Sequence, residues 1–417
     1  MREDLRRRLR ELGVVRGVHE IASPPLNHPR RHVAIEDLVP GHFHTTYHGQ
    51  CFVIEETYPP DHSHGNLPLS TFLDLPPEII AQIARDAALA SVDLRRVCFL
   101  DTETTGLSGG TGTMAFVVGL GFFAENGFHL RQYFLRDPGD EPALVEALAE
   151  HLLEFEALAS FNGHAFDVPI LENRFILARV PPPMAGMPHL DLLHPARRLW
   201  QYHLPSCALS ALEPEVLGVL REQDDVPGGV IPYLYRDYLR TGDAREMKRV
   251  IYHNAVDILS LVTLAARLCR ALANPWADRR LNGAEFYGLG RWYETDGQSA
   301  DAERAYRTAI ESNLATGLRA RALRALANLL KRANRRHEAF GYWQQLALET
   351  RDDVLAHVEL AKYFEWHVGN LTLAADWTRT ALAQVENWPA GTRHDVAVGE
   401  LHHRLARLER KTDARTS

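Results

Sequence analysis

The chain has 417 residues, of which 46% are hydrophobic and 24% are charged. This composition is typical of a folded globular protein of two or three domains, and it excludes a disordered or collagen-like chain. The 54 acidic residues outnumber the 46 basic ones, and the net charge of −8 argues against a protein that coats nucleic acid through bulk positive charge.

The start of the chain and its apolar runs indicate neither export nor membrane insertion. The first residues, MREDLRRRLREL, predict a charged amphipathic helix that lacks the apolar core of a signal peptide. The longest apolar run, residues 114–124, is about half the length of a membrane span and contains two glycines, so it predicts a buried strand. Four widely spaced cysteines predict free thiols in or near cores. We therefore expect a cytoplasmic protein with no contact to a membrane.

Residues 1–90 form an N-terminal extension that is rich in proline and histidine. Alternating apolar and polar residues predict a strand pair at 42–47 and 51–58, and a helix is predicted at 77–89. The spacing of five histidines could suit a metal ion, but no cysteine or adjacent acid completes a ligand set, so we assign them no function. They are His42, His44, His48, His62 and His64.

From residue 97 the pattern changes to apolar strands that alternate with helices. The segments VCFLDTE, AFVVGLGFF and HLRQYFL predict three hairpin-connected strands. A helix at 141–155, the short strand ALASFN and a long helix at 244–272 follow. This order predicts a mixed sheet with helices packed against it, and it resembles the order of ribonuclease H-like folds.

The segment FLDTETTGL, residues 99–107, places two acids at the end of an apolar strand. Residues two apart in a strand point to the same face, so Asp101 and Glu103 should project side by side. Two carboxylates this close repel each other and raise each other's pKa unless a cation lies between them. The pair therefore predicts a site for a divalent metal ion.

Two further segments carry acids where an ordinary surface pattern would not place them. Asp167 follows the segment SFNGHAF and begins a predicted helix, where an acid is often only an N-cap. In the segment VIYHNAVDILSL, helical spacing places His253 and Asp257 on an otherwise apolar stripe. A buried aspartate needs a partner or a metal ion, and a hydrogen-bonded histidine and aspartate within a core would also satisfy this pattern. Asp191, at the end of a later strand, could support such a site from outside it.

After Pro275 the sequence predicts helices to the end of the chain. Small residues recur there, and Ala302, Ala339 and Ala374 lie 37 and 35 residues apart, close to the tetratricopeptide period of about 34 residues. Three repeats and a closing helix at 402–411 would form a short solenoid. Such solenoids bind a partner or brace a neighbouring domain.

The three acidic segments together resemble the exonuclease motifs of DnaQ-like 3′–5′ exonucleases, the DEDD branch of the ribonuclease H-like superfamily. The segments HLDLLHPARRLW, SCALSALEPEVLG, DDVPGGVIPYLYRDYLRTG and HNAVDILSL are similar to the YprB-like subgroup, whose members can carry C-terminal tetratricopeptide repeats. The resemblance implies an α/β fold with a ribonuclease H-like mixed sheet and flanking helices, followed by an all-α tetratricopeptide-like solenoid. We therefore expect an extension at 1–90, an exonuclease domain at 91–275 and a helical repeat domain at 276–417.

The resemblance also implies roles for individual residues. Four acids would hold two Mg²⁺ or Mn²⁺ ions through oxygen ligands, which disfavour zinc. These acids are Asp101, Glu103, Asp167 and Asp257. The residues expected to bind the terminal nucleotide or the strand near it are Thr104, Gly106, Leu107 and Asn162.

One position departs from the family pattern. The family has a tyrosine four residues before the last acid or a histidine five residues before it, whereas this chain has His253 at four and Tyr252 at five. On a helix His253 shares the face of Asp257, which favours His253 as the residue that orients or deprotonates water. If this segment were a loop, Tyr252 could reach the site instead.

These features predict a metal-dependent 3′–5′ exonuclease that hydrolyses phosphodiester bonds at single-stranded DNA or RNA ends by a two-metal mechanism. The alternative is a non-catalytic adaptor, whose nuclease-like domain binds nucleic acid while the repeats recruit a protein partner. Within the enzyme class, an endonuclease that acts on structured nucleic acid is a third possibility. The exchange of His253 and Tyr252 favours the adaptor. The intact set of four acids favours the enzyme, because a protein that only binds has no use for so many buried negative charges.

Overall fold

The computed structural model of the chain describes residues 33–106, 112–221, 225–350 and 353–416. The amphipathic helix predicted at the start of the chain and Leu107, predicted to bind substrate, lie outside these residues. Across these ranges, no helix combines the length and the apolar character that crossing a bilayer would require.

Seven of the described strands form one mixed sheet, and two short strands form a separate hairpin. In chain order the strands are β1 (His42–Thr46), β2 (Gly49–Tyr58), β3 (Ser63–His64), β4 (Leu67–Pro68), β5 (Val97–Thr104), β6 (Ala115–Ala124), β7 (Gly127–Phe134), β8 (Ala157–Ser160) and β9 (His189–Asp191). The order across the large sheet is β1-β2-β7-β6-β5-β8-β9. In this order, neighbours among the first five strands are antiparallel to each other. Strands β5, β8 and β9 run parallel to one another. The predicted mixed sheet is confirmed, and it fits a ribonuclease H-like fold.

The predicted N-terminal strand pair does not stand apart from the sheet. Strand β2 pairs along most of its length with β7, so β1 and β2 extend the same sheet at one edge. The helix predicted at 77–89 ends at Ala84, because Arg85 adopts a left-handed conformation with φ of 59° that stops the helix. A short 3₁₀ turn, Ala87–Ser91, follows it.

Helices cover both faces of the sheet. They are α1 (Pro77–Ala84), α2 (Glu141–Leu152), α3 (Asp167–Leu177), α4 (Leu193–Trp200), α5 (Leu209–Leu212), α6 (Ile231–Thr241) and α7 (Arg245–Ala273). Because the central strand β5 is covered on both sides, its apolar residues Val97, Cys98, Phe99 and Leu100 are all at most 2% exposed. Of the free cysteines, Cys51, Cys98 and Cys269 are buried and Cys207 is half-buried, as predicted.

Helix α7 lies close against strand β6 because two glycines leave room for it. A Cβ atom on Gly119 would stand 2.3 Å from the side-chain oxygen of Asn254, and one on Gly121 would stand 2.4 Å from a methyl group of Ile258. These are the two glycines that interrupt the longest apolar run of the sequence. They set the distance between α7 and the sheet, and therefore the distance between the acids of α7 and those of β5.

The chain after Pro275 is helical, as predicted. Its helices are α8 (Gly283–Thr295), α9 (Ser299–Glu311), α10 (Thr316–Arg332), α11 (Arg336–Glu349), α12 (Val354–Tyr363), α13 (Leu371–Val385) and α14 (Thr392–Thr416). Helix α8 begins at a capping box, in which Asn282 and Glu285 bond to each other's backbone amides. Glu285 also accepts a hydrogen bond from the indole of Trp200 on α4 at 2.7 Å. The helical region is thus joined to the sheet by a buried polar contact within a continuous apolar cluster.

Candidate active site

The two acids of the DTET segment lie on β5, in the middle of the sheet. Asp101 accepts a hydrogen bond from the amide nitrogen of Asn254 at 2.7 Å, and the same nitrogen lies 3.2 Å from the Asp101 carbonyl oxygen. Asn254 is itself held by the amide of Gln132 on β7, which donates to its oxygen at 2.8 Å. Asn254 and Gln132 are fully buried. The hydrogen bonds from Gln132 to Asn254 and from Asn254 to Asp101 hold the Asp101 carboxylate against helix α7.

Asp167 is the first residue of α3, as the sequence predicted, and it is 5% exposed. Its carboxylate accepts a hydrogen bond of 2.5 Å from the hydroxyl of Thr102, which lies between the two acids of β5. Thr102 therefore ties the start of α3 to the end of β5. Asp167 is not the N-cap of its helix, since that position is held by Phe166, and its side chain faces the neighbouring strand.

The turn that leads into α3 is held by Asp191 at the end of β9. The carboxylate of Asp191 accepts hydrogen bonds from the backbone amides of Asn162 at 2.8 Å and His164 at 3.2 Å. Asn162 has a left-handed backbone with φ of 69°, a conformation that Asn adopts more readily than most residues. Asp191 thus positions the turn that carries Asp167, which is the supporting role the sequence left open.

His253 and Asp257 lie one turn apart on α7, which is a continuous helix through this region. Nε2 of His253 is 3.7 Å from an oxygen of Asp257 and 3.9 Å from an oxygen of Glu103. Ligand atoms of these three residues all lie within 4.8 Å of one another. Tyr252, which lies about 100° from His253 around the helix, instead packs against the apolar cluster. The helical geometry therefore brings His253, and not Tyr252, to the acids.

The other ring nitrogen of His253 faces Asp225. Nδ1 lies 2.8 Å from a carboxylate oxygen of Asp225 and 2.9 Å from a guanidinium nitrogen of Arg221. A guanidinium can only donate and an ionised carboxylate can only accept. The arrangement is satisfied when Asp225 accepts from both groups, which places the imidazole proton on Nδ1. The lone pair of Nε2 then points towards Glu103 and Asp257.

Arg221 is a buried cation among the acids, and the sequence reasoning did not identify it. Its guanidinium forms two parallel bonds to Glu213, at 2.6 and 2.7 Å, and a further ion pair with Asp257. The side chain of Glu213 is 1% exposed, so it depends on this pairing. The surrounding carboxylates raise the pKa of Arg221, which keeps it charged. Arg221 therefore holds one oxygen of Asp257 and leaves the other directed towards His253.

The N-terminal hairpin of β3 and β4 reaches the same network. Glu213 accepts a hydrogen bond of 2.7 Å from the hydroxyl of Ser260, and that hydroxyl lies 2.9 Å from Nε2 of His64. Burial lowers the pKa of His64 to about 4, so the ring is neutral at pH 7. The backbone amide of Asn66 also donates to the carbonyl of Leu217 at 2.8 Å. Residues 63–68 thus brace the turn that carries Glu213.

The carboxylates of the site destabilise one another. Burial, together with the charges of Asp257 and Asp167, raises the pKa of Asp101 well above its usual range. Burial and the charge of Asp101 do the same to the pKa of Glu103, and burial raises the pKa of Asp167 to about 6 against the opposing hydrogen bond from Thr102. The positive charge of Arg221 opposes the rise in the pKa of Asp101 and Glu103 but does not cancel it. A set of buried, hard oxygen ligands with one imidazole fits a divalent cation, which would relieve the repulsion.

We expect this repulsion to make the stability of the metal-free protein depend on pH. The pKa of Asp167 is about 4 in an unfolded chain and about 6 in the fold, so the free energy of unfolding falls as pH rises through that window, by on the order of 2 to 3 kcal/mol. The test compares thermal unfolding of the wild-type protein and Asp167→Asn in a chelator from pH 4 to 8.

The difference between these two proteins is the informative quantity. Burial lowers the pKa of His64 and His189 to about 4, which makes the free energy of unfolding rise with pH. This opposite effect is the same in the wild-type protein and in Asp167→Asn, so it cancels in the difference. Asp167→Asn keeps an oxygen to accept from Thr102, and it should lose stability less steeply between pH 4 and 6. Parallel pH curves for the two proteins would show that Asp167 carries no such penalty.

Of the predicted substrate-binding residues, Thr104, Gly106 and Asn162 are described by the structure, and they lie at two turns that follow β5 and precede α3. Thr104 ends β5, and its hydroxyl donates to the carbonyl oxygen of Gly106 at 2.8 Å, which shapes the turn after the strand. Asn162 lies in the turn before α3. Their contacts with a substrate remain a prediction.

The residues that the sequence reasoning missed all support the acids rather than extend the set. They are Thr102, Gln132, Glu213, Arg221, Asp225 and Asn254. Asn254 had a signal in the sequence, because it is a polar residue within an apolar stretch of a buried helix, and such a residue needs a partner. Arg221 had none, because it lies in a segment without helical or strand periodicity, and Asp225 lies in a segment that was noted only for its family resemblance.

Comparison with known proteins agrees with this architecture. Residues 98–269 match the RNase_H superfamily, and this range contains Asp101, Glu103, Asp167 and Asp257. The chain is also 30% identical over 372 residues to a protein of Bacillus subtilis (strain 168) named "Uncharacterized protein YprB". That similarity covers 87% of this chain and 86% of the Bacillus protein, so it includes the helical region as well as the sheet.

Proposed function

Because the chain belongs to the YprB family and carries a ribonuclease H superfamily domain, we propose that it is a metal-dependent 3′–5′ exonuclease of the DEDD type acting on single-stranded DNA or RNA ends. The observation that carries the proposal is the approach of Glu103, His253 and Asp257, whose ligand atoms all lie within 4.8 Å of one another. Asp101, on the same strand as Glu103, and Asp167 border this group. The 3′–5′ direction rests on the resemblance of the DTETTGL segment to the exonuclease motif.

The residues present fit divalent metal ions. Asp101, Glu103, Asp167 and Asp257 would hold Mg²⁺ or Mn²⁺, because carboxylate oxygens are the ligands these ions prefer. When bound, such ions would polarise the scissile phosphate and make water more acidic. The raised pKa values of Asp101 and Glu103 in the metal-free fold are the expected property of carboxylates that require a cation.

His253 is the residue of this site that can take the proton of the attacking water. Its Nε2 faces the acids, and its Nδ1 is held by Asp225 at 2.8 Å. A carboxylate that holds the Nδ1 proton leaves Nε2 free to accept a proton, and it stabilises the imidazolium that forms. Arg221 pairs with both Asp225 and Asp257, and it therefore fixes the position of His253 relative to Asp257.

We further infer that the helical region is a tetratricopeptide-like solenoid of three helix pairs, α8 with α9, α10 with α11 and α12 with α13. The small residues that recur in the sequence, Ala302, Ala339 and Ala374, are at most 2% exposed in the second helix of each pair. Small residues at such positions let paired helices approach closely. The contact between Trp200 and Glu285 supports a bracing role for the first pair.

The proposal is tested with the purified protein and three substrates: a 5′-labelled single strand, a 3′-labelled single strand and a single-stranded circle. With Mn²⁺ present we expect a ladder of shortened products from the 5′-labelled strand, release of mononucleotide from the 3′-labelled strand and no cleavage of the circle. A chelator and Asp101→Ala should both abolish the activity. Cleavage of the circle would indicate an endonuclease, and binding without cleavage would indicate the adaptor.

Asp225→Asn should slow turnover by about tenfold to a hundredfold with little change in KM, because it weakens the group that orients His253 without touching the acids. The measurement is steady-state kinetics on the labelled strand. Long-range ¹⁵N correlation spectra of the metal-free protein report the His253 tautomer directly. A variant that keeps the Nδ1–H tautomer and full turnover would remove Asp225 from the mechanism.

A further inference from the structure

A second feature of the molecule lies in the helical region, outside the nuclease site. The ends of α10 and α12 and the start of α11 enclose a cleft with the turn Phe364–Val368. Four aromatic side chains line this cleft: Phe340, Trp343, Tyr363 and Trp366. We call it the aromatic cleft.

The rings of the aromatic cleft offer flat surfaces. Phe340 and Tyr363 stack with ring centres 4.6 Å apart and planes 29° apart, and Trp366 is 55% exposed. The guanidinium of Arg404 lies 5.8 Å from the centre of the Trp366 ring, so this ring already has a cation beside it. The hydroxyl of Tyr363 bonds to Nδ1 of His337 at 2.8 Å, which fixes the Tyr363 ring. The cleft therefore presents ordered rings on one side and an accessible ring on the other.

The charges of the aromatic cleft do not balance. Lys331 and Lys362 share one carboxylate, that of the buried Glu359, at 2.6 and 2.7 Å. Arg336 bonds to the neutral side-chain oxygen of Asn334, and no carboxylate of the described residues lies within ion-pair distance of it. Three cations thus face one acid. The excess positive charge stands out in a chain whose net charge is −8.

The corresponding edge of the preceding helix pair shows the contrast. The cleft there is lined by Arg332 and Arg335 and by Glu294 and Glu303, with no aromatic side chain. Arg335 pairs with Glu303 at 2.6 Å, and Arg332 pairs with Glu294. Each arginine that lines that cleft therefore has a carboxylate partner, although Glu294 and Glu303 also pair with Arg291 and Arg307. Aromatic rings and uncompensated charge occur together in the aromatic cleft and not at this earlier edge.

We propose that the aromatic cleft binds a single strand of nucleic acid, with bases stacked on Trp366 and Tyr363 and phosphates at Arg336. Flat rings beside cations are the combination that binds single strands without sequence readout. An acidic peptide would pair with the cations but would leave the ring faces without a matching partner. The proposal draws on the proposed function only for the class of substrate, since a strand held here would be a distal part of the strand whose end enters the nuclease site.

The experiment measures binding of fluorescein-labelled oligo(dT) and oligo(U), each of roughly 20 nucleotides, to the full chain in a chelator, so that no cleavage occurs. Trp366→Ala should weaken binding about tenfold, as expected for the loss of one stacked base. Arg336→Ala should weaken it several-fold and lower the slope of affinity against salt by about one. The matched controls are Tyr47→Ala, an exposed ring in the turn between β1 and β2, and Arg332→Ala at the earlier edge, and both should bind like the wild-type protein.

Thermal unfolding of each variant checks that the fold is retained. A strand that contains 5-bromouracil supplies a readout without substitution, because ultraviolet cross-links should map to the peptide with Tyr363 and Trp366. The proposal is overturned if Trp366→Ala and Arg336→Ala bind like the wild-type protein, if cross-links fall elsewhere, or if an acidic peptide binds the cleft and the oligonucleotides do not. The cleavage assay is separate: binding at the cleft without cleavage would reject the exonuclease and keep the cleft. Cleavage by the wild-type protein, together with unchanged binding by the variants, would keep the exonuclease and reject the cleft.

Discussion

Asp101→Asn should lower turnover by about a thousandfold or more and, in the metal-free protein, raise the temperature of unfolding. The loss of activity follows because a metal-binding carboxylate contributes several kcal/mol to the transition state, and about 4 kcal/mol corresponds to a thousandfold. The gain in stability follows because Asp101 is the acid that is repelled by Asp257 and Asp167 when no cation is present. The asparagine keeps an oxygen that can accept from Asn254, so the local structure should persist.

Opposite changes in activity and stability distinguish a functional acid from a structural one. The measurements are turnover on a labelled strand and thermal unfolding in a chelator and then in Mn²⁺. Metal should stabilise the wild-type protein markedly and Asp101→Asn far less, since stabilisation by a ligand follows its affinity for the fold. Glu125→Gln, an exposed acid in the turn between β6 and β7, is the matched control and should change neither quantity. Equal stabilisation of the wild-type protein and Asp101→Asn by metal would show that Asp101 is not a ligand.

Arg221→Gln should destabilise the protein by about 3 to 5 kcal/mol. The substitution leaves the carboxylate of Glu213, which is 1% exposed, without the two bonds that compensate its burial, and removing one partner of a buried pair has this cost. It also frees Asp257 and Asp225, so turnover should fall as well. Chemical denaturation in a chelator measures the first effect without any contribution from metal.

A double variant separates the loss of the pair from the loss of the arginine. Glu213→Gln combined with Arg221→Gln removes both charges, and it should recover most of the stability, because neutral side chains of similar size can replace a buried ion pair at little cost. Arg96→Gln is the control, since the pair of Arg96 with Glu156 is about half exposed at both partners and such pairs add little. If the double variant is no more stable than Arg221→Gln alone, the guanidinium contributes through packing and not through its charge.

The structure agrees best with predictions that depended on the periodicity of a single strand or helix. The alternation of β5 places Asp101 and Glu103 on one face, and the helical spacing of α7 brings Nε2 of His253 to 3.7 Å from Asp257. The competing loop, which would have brought Tyr252 to the site, does not form. The helix at 77–89 was predicted too long, because the left-handed turn at Arg85 leaves no periodic trace in the sequence.

The sequence by itself determined most of the strands and helices and which acids they carry. It could do so because the periods of strands and helices are local properties of the backbone. Only the tertiary structure decided that β1 and β2 join the sheet and that His64, Arg221 and Asp225 belong to the same network as Asp257. These contacts join residues that are tens to nearly two hundred positions apart, and the energy that selects them is the desolvation and pairing of buried charges. These contributions arise only when the chain has folded and buried the charges together, so no short segment of the sequence could predict them.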